Sequence, residues 1–182
     1  MTPDVDQYLR SMCKAMSGII LPELEGKPFA REQAGLVLAT LELLAEVQEH
    51  QFAYARQELA DLRQLFDAWR RLRPDSGDAT FWTALHESGC AAGEAGPREL
   101  RELIAHWKSC LRTLMEGWPP SPGSELRILL DRCIERQLAR ETAWLRRTGF
   151  IPGAADVPHV STVLAHQARA PLDHCAVHSP SA

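Results

Sequence analysis

From Ala34 to Trp69 apolar and polar positions alternate with a helical period, and neither proline nor, after Gly35, glycine interrupts them. Ala34, Leu38, Leu41, Ala45, Gln48, Phe52, Ala55, Leu59, Leu62, Phe66 and Trp69 recur at alternating steps of four and three, a heptad-like seam. This predicts a helix from about Ala30 to Leu72, stopped at Arg73-Pro74 because a residue before proline avoids the helical region. If straight it would span about 60 Å, longer than a compact domain of this size, so a kink is expected at the polar patch Gln48-Glu49-His50-Gln51.

The flanking segments carry the same period. A first helix is expected from Pro3, capped by Thr2, with Val5, Leu9, Met12, Met16 and Ile19 as its buried stripe and Pro22, Gly26 and Pro28 closing it. Asp78 caps a short helix carrying Phe81, Trp82 and Leu85 that fades at Gly89, and the small-residue segment from Cys90 to Gly96 reads as a loop. Pro97 then opens a helix with Leu100, Ile104, Trp107, Leu111, Leu114 and Trp118 inward. After the break at Trp118-Pro119-Pro120, Ser124 caps a last long helix to about Arg147, with Leu126, Leu130, Cys133, Ile134, Leu138 and Leu145 buried. Beyond Gly149 the pattern is lost among Pro152, Pro158, Pro171 and Pro180, with a trace of period only from Val160 to Ala168. No alternating β-branched run occurs. The expected fold is all-α: a helical bundle of four to five helices over residues 1–149, one of them very long, with a loose, Pro-punctuated C-terminal tail over 150–182.

A chain of 182 residues, 45 % hydrophobic and 24 % charged, can bury a core of its own. Its net charge of -4 lacks the concentrated basic surface that nucleic acid requires, so no nucleic-acid partner is expected. Arginine outnumbers lysine 17 to 3 and asparagine is absent, a skew that fits GC-rich coding and a bacterial source. The acidic start MTPDVDQYLR lacks the basic flank of a secretory signal, and no apolar run approaches the roughly 18 residues of a membrane helix. With five scattered cysteines and no CxxC pair, this predicts reduced thiols, a cytoplasmic location and no membrane.

Chemical motifs fall short one by one. His86-Glu87 lacks the second histidine of HExxH, and no nucleophile elbow, phosphate loop or dinucleotide fingerprint occurs. Asp173, His174, Cys175 and His178 are competent metal ligands, but the segment promises no fixed shell around them. His106 and Cys110 could pair at i,i+4, yet Cys110 adjoins the seam position Leu111 and reads as an inert, partly buried thiol. A di-iron bundle would need Glu-x-x-His motifs, and the chain has none. No catalytic residue, metal site or cofactor is therefore expected.

The arginines Arg132, Arg136 and Arg140 stand at i,i+4,i+8 on one helix face, a mutually repulsive row unless something opposes it. Pairing with the acidic row Glu42, Glu46 and Glu49 is the plainer expectation. Binding of a phosphate-bearing ligand or an acidic protein is the other. Gln48, a polar residue in an apolar seam, either sets register or lines a wet cavity.

The segments VDQYLRSMCKAMSGIILPELEG and AREQAGLVLATLELLAE together resemble small uncharacterised bacterial helical proteins whose genes lie beside acyl-CoA dehydrogenases and aminoglycoside-phosphotransferase-like kinases. The likeness covers the first third of the chain, rests on an apolar helix ending in a Pro-x-Leu step, and carries no catalytic residues with it. It implies an accessory role near acyl-CoA metabolism. The expected function is thus that of a non-enzymatic helical accessory or interaction protein, with a protein partner or a homodimer formed through the long seam. The alternative is a small-molecule site between helices, with Gln48, His50 and Gln51 as polar anchors and Tyr54, Trp107 and Trp118 as walls.

Overall fold

The computed structural model describes residues 4–93, 95–148 and 153–172. Among them the chain is helical and no strand forms, the all-α class that the periodicity predicts. Helix α1 spans Val5–Ala15, α2 Pro28–Val47, α3 Gln51–Leu72, α4 Ala79–Ala91, α5 Pro97–Gly117, α6 Glu125–Leu145 and α7 Val160–Arg169. Contacts group these into two compact units, Met1–Gln51 with Glu141–Ser161 and Phe52–Arg140 with Thr162–Ala182. The proline pattern of the sequence predicts one boundary, at residue 149.

In the first unit, α1 is capped by Asp4, whose carboxylate accepts from the amides of Asp6 and Gln7, rather than by Thr2. The helix does not stop at Pro22. It widens into a π-turn over Met16–Ile20 and adds one α-turn, Leu21–Glu23. A proline has no N–H to donate and its ring crowds the carbonyl four residues back, here that of Gly18, so the wider turn relieves both conflicts. Gly26, at φ 81°, then reverses the chain in a conformation natural to glycine, and Pro28 opens α2, against which α1 packs.

Helical structure continues from Pro28 to Leu72, with its α-pattern broken by a 3₁₀ turn over Gln48–His50. That is the polar patch where the sequence predicts a kink. Val47, whose φ of -101° departs from the helix, is itself buried.

The second unit holds a continuous core. Leu59, Leu62, Leu65, Phe66 and Trp69 of α3 meet Trp82 and Leu85 of α4, Leu100, Ile104, Trp107 and Leu114 of α5, and Leu126, Leu129, Leu130 and Cys133 of α6. Phe66 sits edge-to-face on Trp107 at 5.4 Å and on Trp82 at 6.3 Å. The seam of α3 is therefore covered inside the chain. Of the stripe expected to drive dimerisation, only Phe52 is exposed, so that argument for self-association through α3 falls.

Three further boundaries and faces differ from expectation. Helix α4 runs past Gly89 to Ala91, because Gly89 faces Trp107: an added Cβ would lie 3.0 Å from the indole. Helix α6, capped by Ser124 as expected, buries Arg140 while Ile134, Leu138 and Leu145 are exposed. Within the span read as a loose tail, α7 forms, and Val160, Leu164, Gln167 and Leu172 are buried. The candidate ligands Asp173, His174, Cys175 and His178 lie outside the described residues.

Candidate functional site

The arginine row resolves within the second unit. Arg140 and Asp61 are both fully buried, and Nη1 of Arg140 donates to Oδ2 of Asp61 at 2.5 Å and to Oε1 of Gln167 at 2.6 Å. Its Nη2 donates to Gln137 at 3.0 Å, and the guanidinium lies 5.7 Å from the centre of the Tyr54 ring. Arg136 reaches the other Asp61 oxygen at 2.9 Å and donates to the Ala170 and Gln167 carbonyls at 2.6 and 2.9 Å. Gln57 donates to Asp61 at 3.1 Å, and Gln137 to the Tyr54 hydroxyl at 3.4 Å. Arg132, half-buried, is engaged as well. Internal pairing is thus the fate of Arg136 and Arg140, but their counter-ion is Asp61 and not the expected row Glu42, Glu46, Glu49. With both its Nη groups bonded to protein acceptors and no exposure, Arg140 is not available to a phosphate.

In the first unit Glu46 gathers a different set of partners. Nε of Arg146 donates to its Oε1 at 2.6 Å, Arg147 pairs with Oε2, and Nε2 of His159 stands 3.5 Å away. The His50 and His159 rings meet edge-to-face at 5.3 Å. Around them opens a cleft of about 620 Å³, completed by Glu42, Glu49, Cys13 and the Asp6–Arg10 pair. Burial alone would push the Glu46 carboxyl up. The Arg146 hydrogen bond and the charges of Arg147, Arg146 and His159 outweigh it and hold the group below its ordinary range. A carboxylate so held stays ionised at neutral pH and anchors the cations around it instead of accepting protons.

The linkage has a definite sign. A depressed folded-state pKa adds stability above the unfolded value, and that stability is lost as pH falls through the folded one. Glu46→Gln is expected to lower the melting temperature at pH 7 and to flatten its decline below about pH 5; equal acid limbs in variant and parent would contradict this.

The remaining predicted residues go separate ways. His50 lines the cleft, Gln48 is half-buried and Gln51 is exposed. Tyr54 belongs to the Arg140 network, Trp107 is a core residue whose Nε1 donates to Ser88 at 3.0 Å, and Trp118 is exposed. The anchors proposed from sequence thus belong to the first unit and the walls to the second. The second unit holds a cavity of about 200 Å³ among α3, α4 and α5, lined by Leu59, Ala60, Gly89, Ala92, Leu100 and Trp107, with Arg56 and Arg63 also on it. Sequence reasoning missed it because Gly89, Ala92 and Gly93 read as the end of a helix and a loop. The available signal was Arg56, Ala60 and Arg63 at i,i+4,i+7, two cations flanking a small residue on one face.

Cys13, Cys110 and Cys133 are free thiols; the Cys90 side chain and Cys175 lie outside the described residues. Cys110 has the His106 ring nitrogen at 3.6 Å, yet burial pushes its thiol up, which favours the inert form. Burial, with Asp61 close by, pushes Cys133 up to about 11. At pH 8 only about one Cys133 in a thousand is then thiolate, and it should be alkylated at least tenfold more slowly than half-buried Cys13. Mass spectrometry of the labelled peptides measures this directly.

Among the described residues no His, Cys, Asp and Glu side chains group as a metal site, and no helix is long and apolar enough to cross a membrane. Comparison with known proteins brings no match to a family model, to a curated protein or to a solved structure.

Proposed function

We propose that the chain is a non-enzymatic helical interaction protein that works through the apolar outer face of its N-terminal hairpin, with a second copy of itself as the first partner. One observation carries this reading. Helix α1 buries none of its residues, and Val5, Tyr8, Met12 and Ile19, which follow the helical period on one face, are 56, 60, 52 and 66 % exposed. Leu9 and Met16 of the same expected stripe are half-buried. On α2, Phe29, Leu36 and Val37 are 75, 57 and 50 % exposed. Scattered apolar side chains are ordinary on a surface, whereas aligned rows on two packed helices are the mark of a contact face. An accessory role near acyl-CoA metabolism is the form of this reading that the resemblance of the same two segments favours.

Sedimentation at tens of micromolar tests it. A dimer is expected, together with a folded, cooperatively melting monomer for Tyr8→Glu with Ile19→Glu, since both positions are exposed and neither holds the fold. A parent protein that stays monomeric, or a doubly substituted one that stays dimeric, overturns the proposed face. A second reading, a small-molecule-binding bundle, is favoured by the cavity beside Trp107.

A further inference from the structure

We infer that the cavity among α3, α4 and α5 binds a small organic anion with an apolar body, its charge held between Arg56 and Arg63. The inference deepens the small-molecule reading and is independent of the hairpin face.

The apolar half of the site is built. Trp107 is 2 % exposed, its indole held by the hydrogen bond to Ser88, by the edge of Phe66 and by close approach to Gly89, where an added Cβ would lie 3.0 Å from the ring. Leu59 and Leu100, both buried, complete the apolar lining, while Ala60 and Ala92 are too short to fill the space. A space of about 200 Å³, partly open to solvent, is thus left beside the packed core, where interiors otherwise close tightly on themselves.

The charged half is left open. Arg56 and Arg63 are seven residues apart on α3, about 10 Å along the axis, with Ala60 between them on the same face. Neither forms an ion pair with a carboxylate among the described residues, in contrast to Arg71, Arg127, Arg136, Arg140, Arg146 and Arg147, each of which does. The contact of Arg56 is with the ring of Phe52, 5.7 Å from the guanidinium. Glu58, two residues from Arg56 on α3, is already committed to Lys108. Two forked cations beside a walled apolar gap fit a carboxylate or phosphate monoester on a compact hydrophobic group. A neutral molecule would offer the two guanidiniums no counter-charge, and a cation would be repelled.

Benzoate is the probe, compared with benzyl alcohol, which keeps the ring and lacks the charge, and with phenyl phosphate. Titration calorimetry and the Trp107 indole N–H signal of the full chain report binding. Saturable one-site binding of benzoate is expected, at least tenfold tighter than benzyl alcohol and weakened about tenfold by Arg63→Gln, the loss of one charged hydrogen-bonding pair. Ala60→Leu, which fills the gap, should abolish it. The order of benzoate and phenyl phosphate tells which anion the two arginines suit. Equal binding of benzyl alcohol, or indifference to Arg63→Gln, overturns the anion while leaving a small-molecule cavity. No binding of any probe overturns both. Arg63 is exposed and outside the core, so its variant keeps the fold and the comparison stands.

Discussion

Replacing Asp61 by Ala is expected to lower the unfolding free energy by about 3–5 kcal/mol. The cost comes from what remains. Arg140 has no exposed surface, and without Asp61 its charge is buried with the amide oxygens of Gln167 and Gln137 and the Tyr54 ring to face it, but no carboxylate bonded to it. Arg136 loses the same counter-ion. A side chain that cannot reach water and cannot shed its proton must be accommodated by moving the helix that bears it. The change should appear as a fall of about 1–2 M in the urea midpoint. Asp61→Leu combined with Arg140→Met should recover most of the loss, because removing both partners also removes the stranded charge. If the single substitution shifts the midpoint no more than an exposed ion pair does, about 0–1 kcal/mol, the network is not the fastening that its burial implies.

Asp61 also shows where sequence ceases to be informative. The period of three and four places Leu59, Leu62, Phe66 and Trp69 on one face, and they are buried together. Caps at Asp78 and Ser124, the N1 proline at Pro97 and the interruption at Gln48–His50 are local features, set by residues within one turn, and they stand where expected. The partner of an arginine row is not local. Asp61 lies 79 residues from Arg140, next to the seam rather than in it, and three glutamates elsewhere on the same helical run satisfy the charge pattern equally well. α1 fails in another way. Periodicity tells which of Val5, Leu9, Met12, Met16 and Ile19 share a face, not whether anything covers that face, and much of it is open. The cavity beside Trp107 was illegible for a third reason: an empty space has no residue of its own, and its lining reads as ordinary alanine, glycine and leucine.

A chain ending at Thr148 is expected to be destabilised by at least about 5 kcal/mol, enough to abolish a cooperative melt in a domain of ordinary stability. The segment removed has four prolines and little period, and by sequence alone it looks dispensable. The structure gives it a different weight. Val160, Leu164 and Leu172 are 0, 7 and 3 % exposed, and burying each such side chain contributes about 1.5–3 kcal/mol. Gln167 is a hub: its side chain accepts from Arg140 and donates to the Arg136 carbonyl at 3.0 Å, while its own carbonyl accepts from Arg136. The amide of Leu172 donates to Gln64 at 2.6 Å. Without α7 the two arginines keep Asp61 but lose the acceptors that disperse the second positive charge, so the truncation harms the network as well as the apolar core. Leu164→Ala and Gln167→Ala in the full chain divide the effect: the first should cost about 2–5 kcal/mol as a cavity and the second about 1–3 kcal/mol as unsatisfied buried donors. Thermal melts followed by far-ultraviolet circular dichroism decide it. A truncated chain that melts cooperatively at the parent temperature would show that α7 merely rests on the bundle, and would return residues 150–182 to the dispensable tail that their prolines portray.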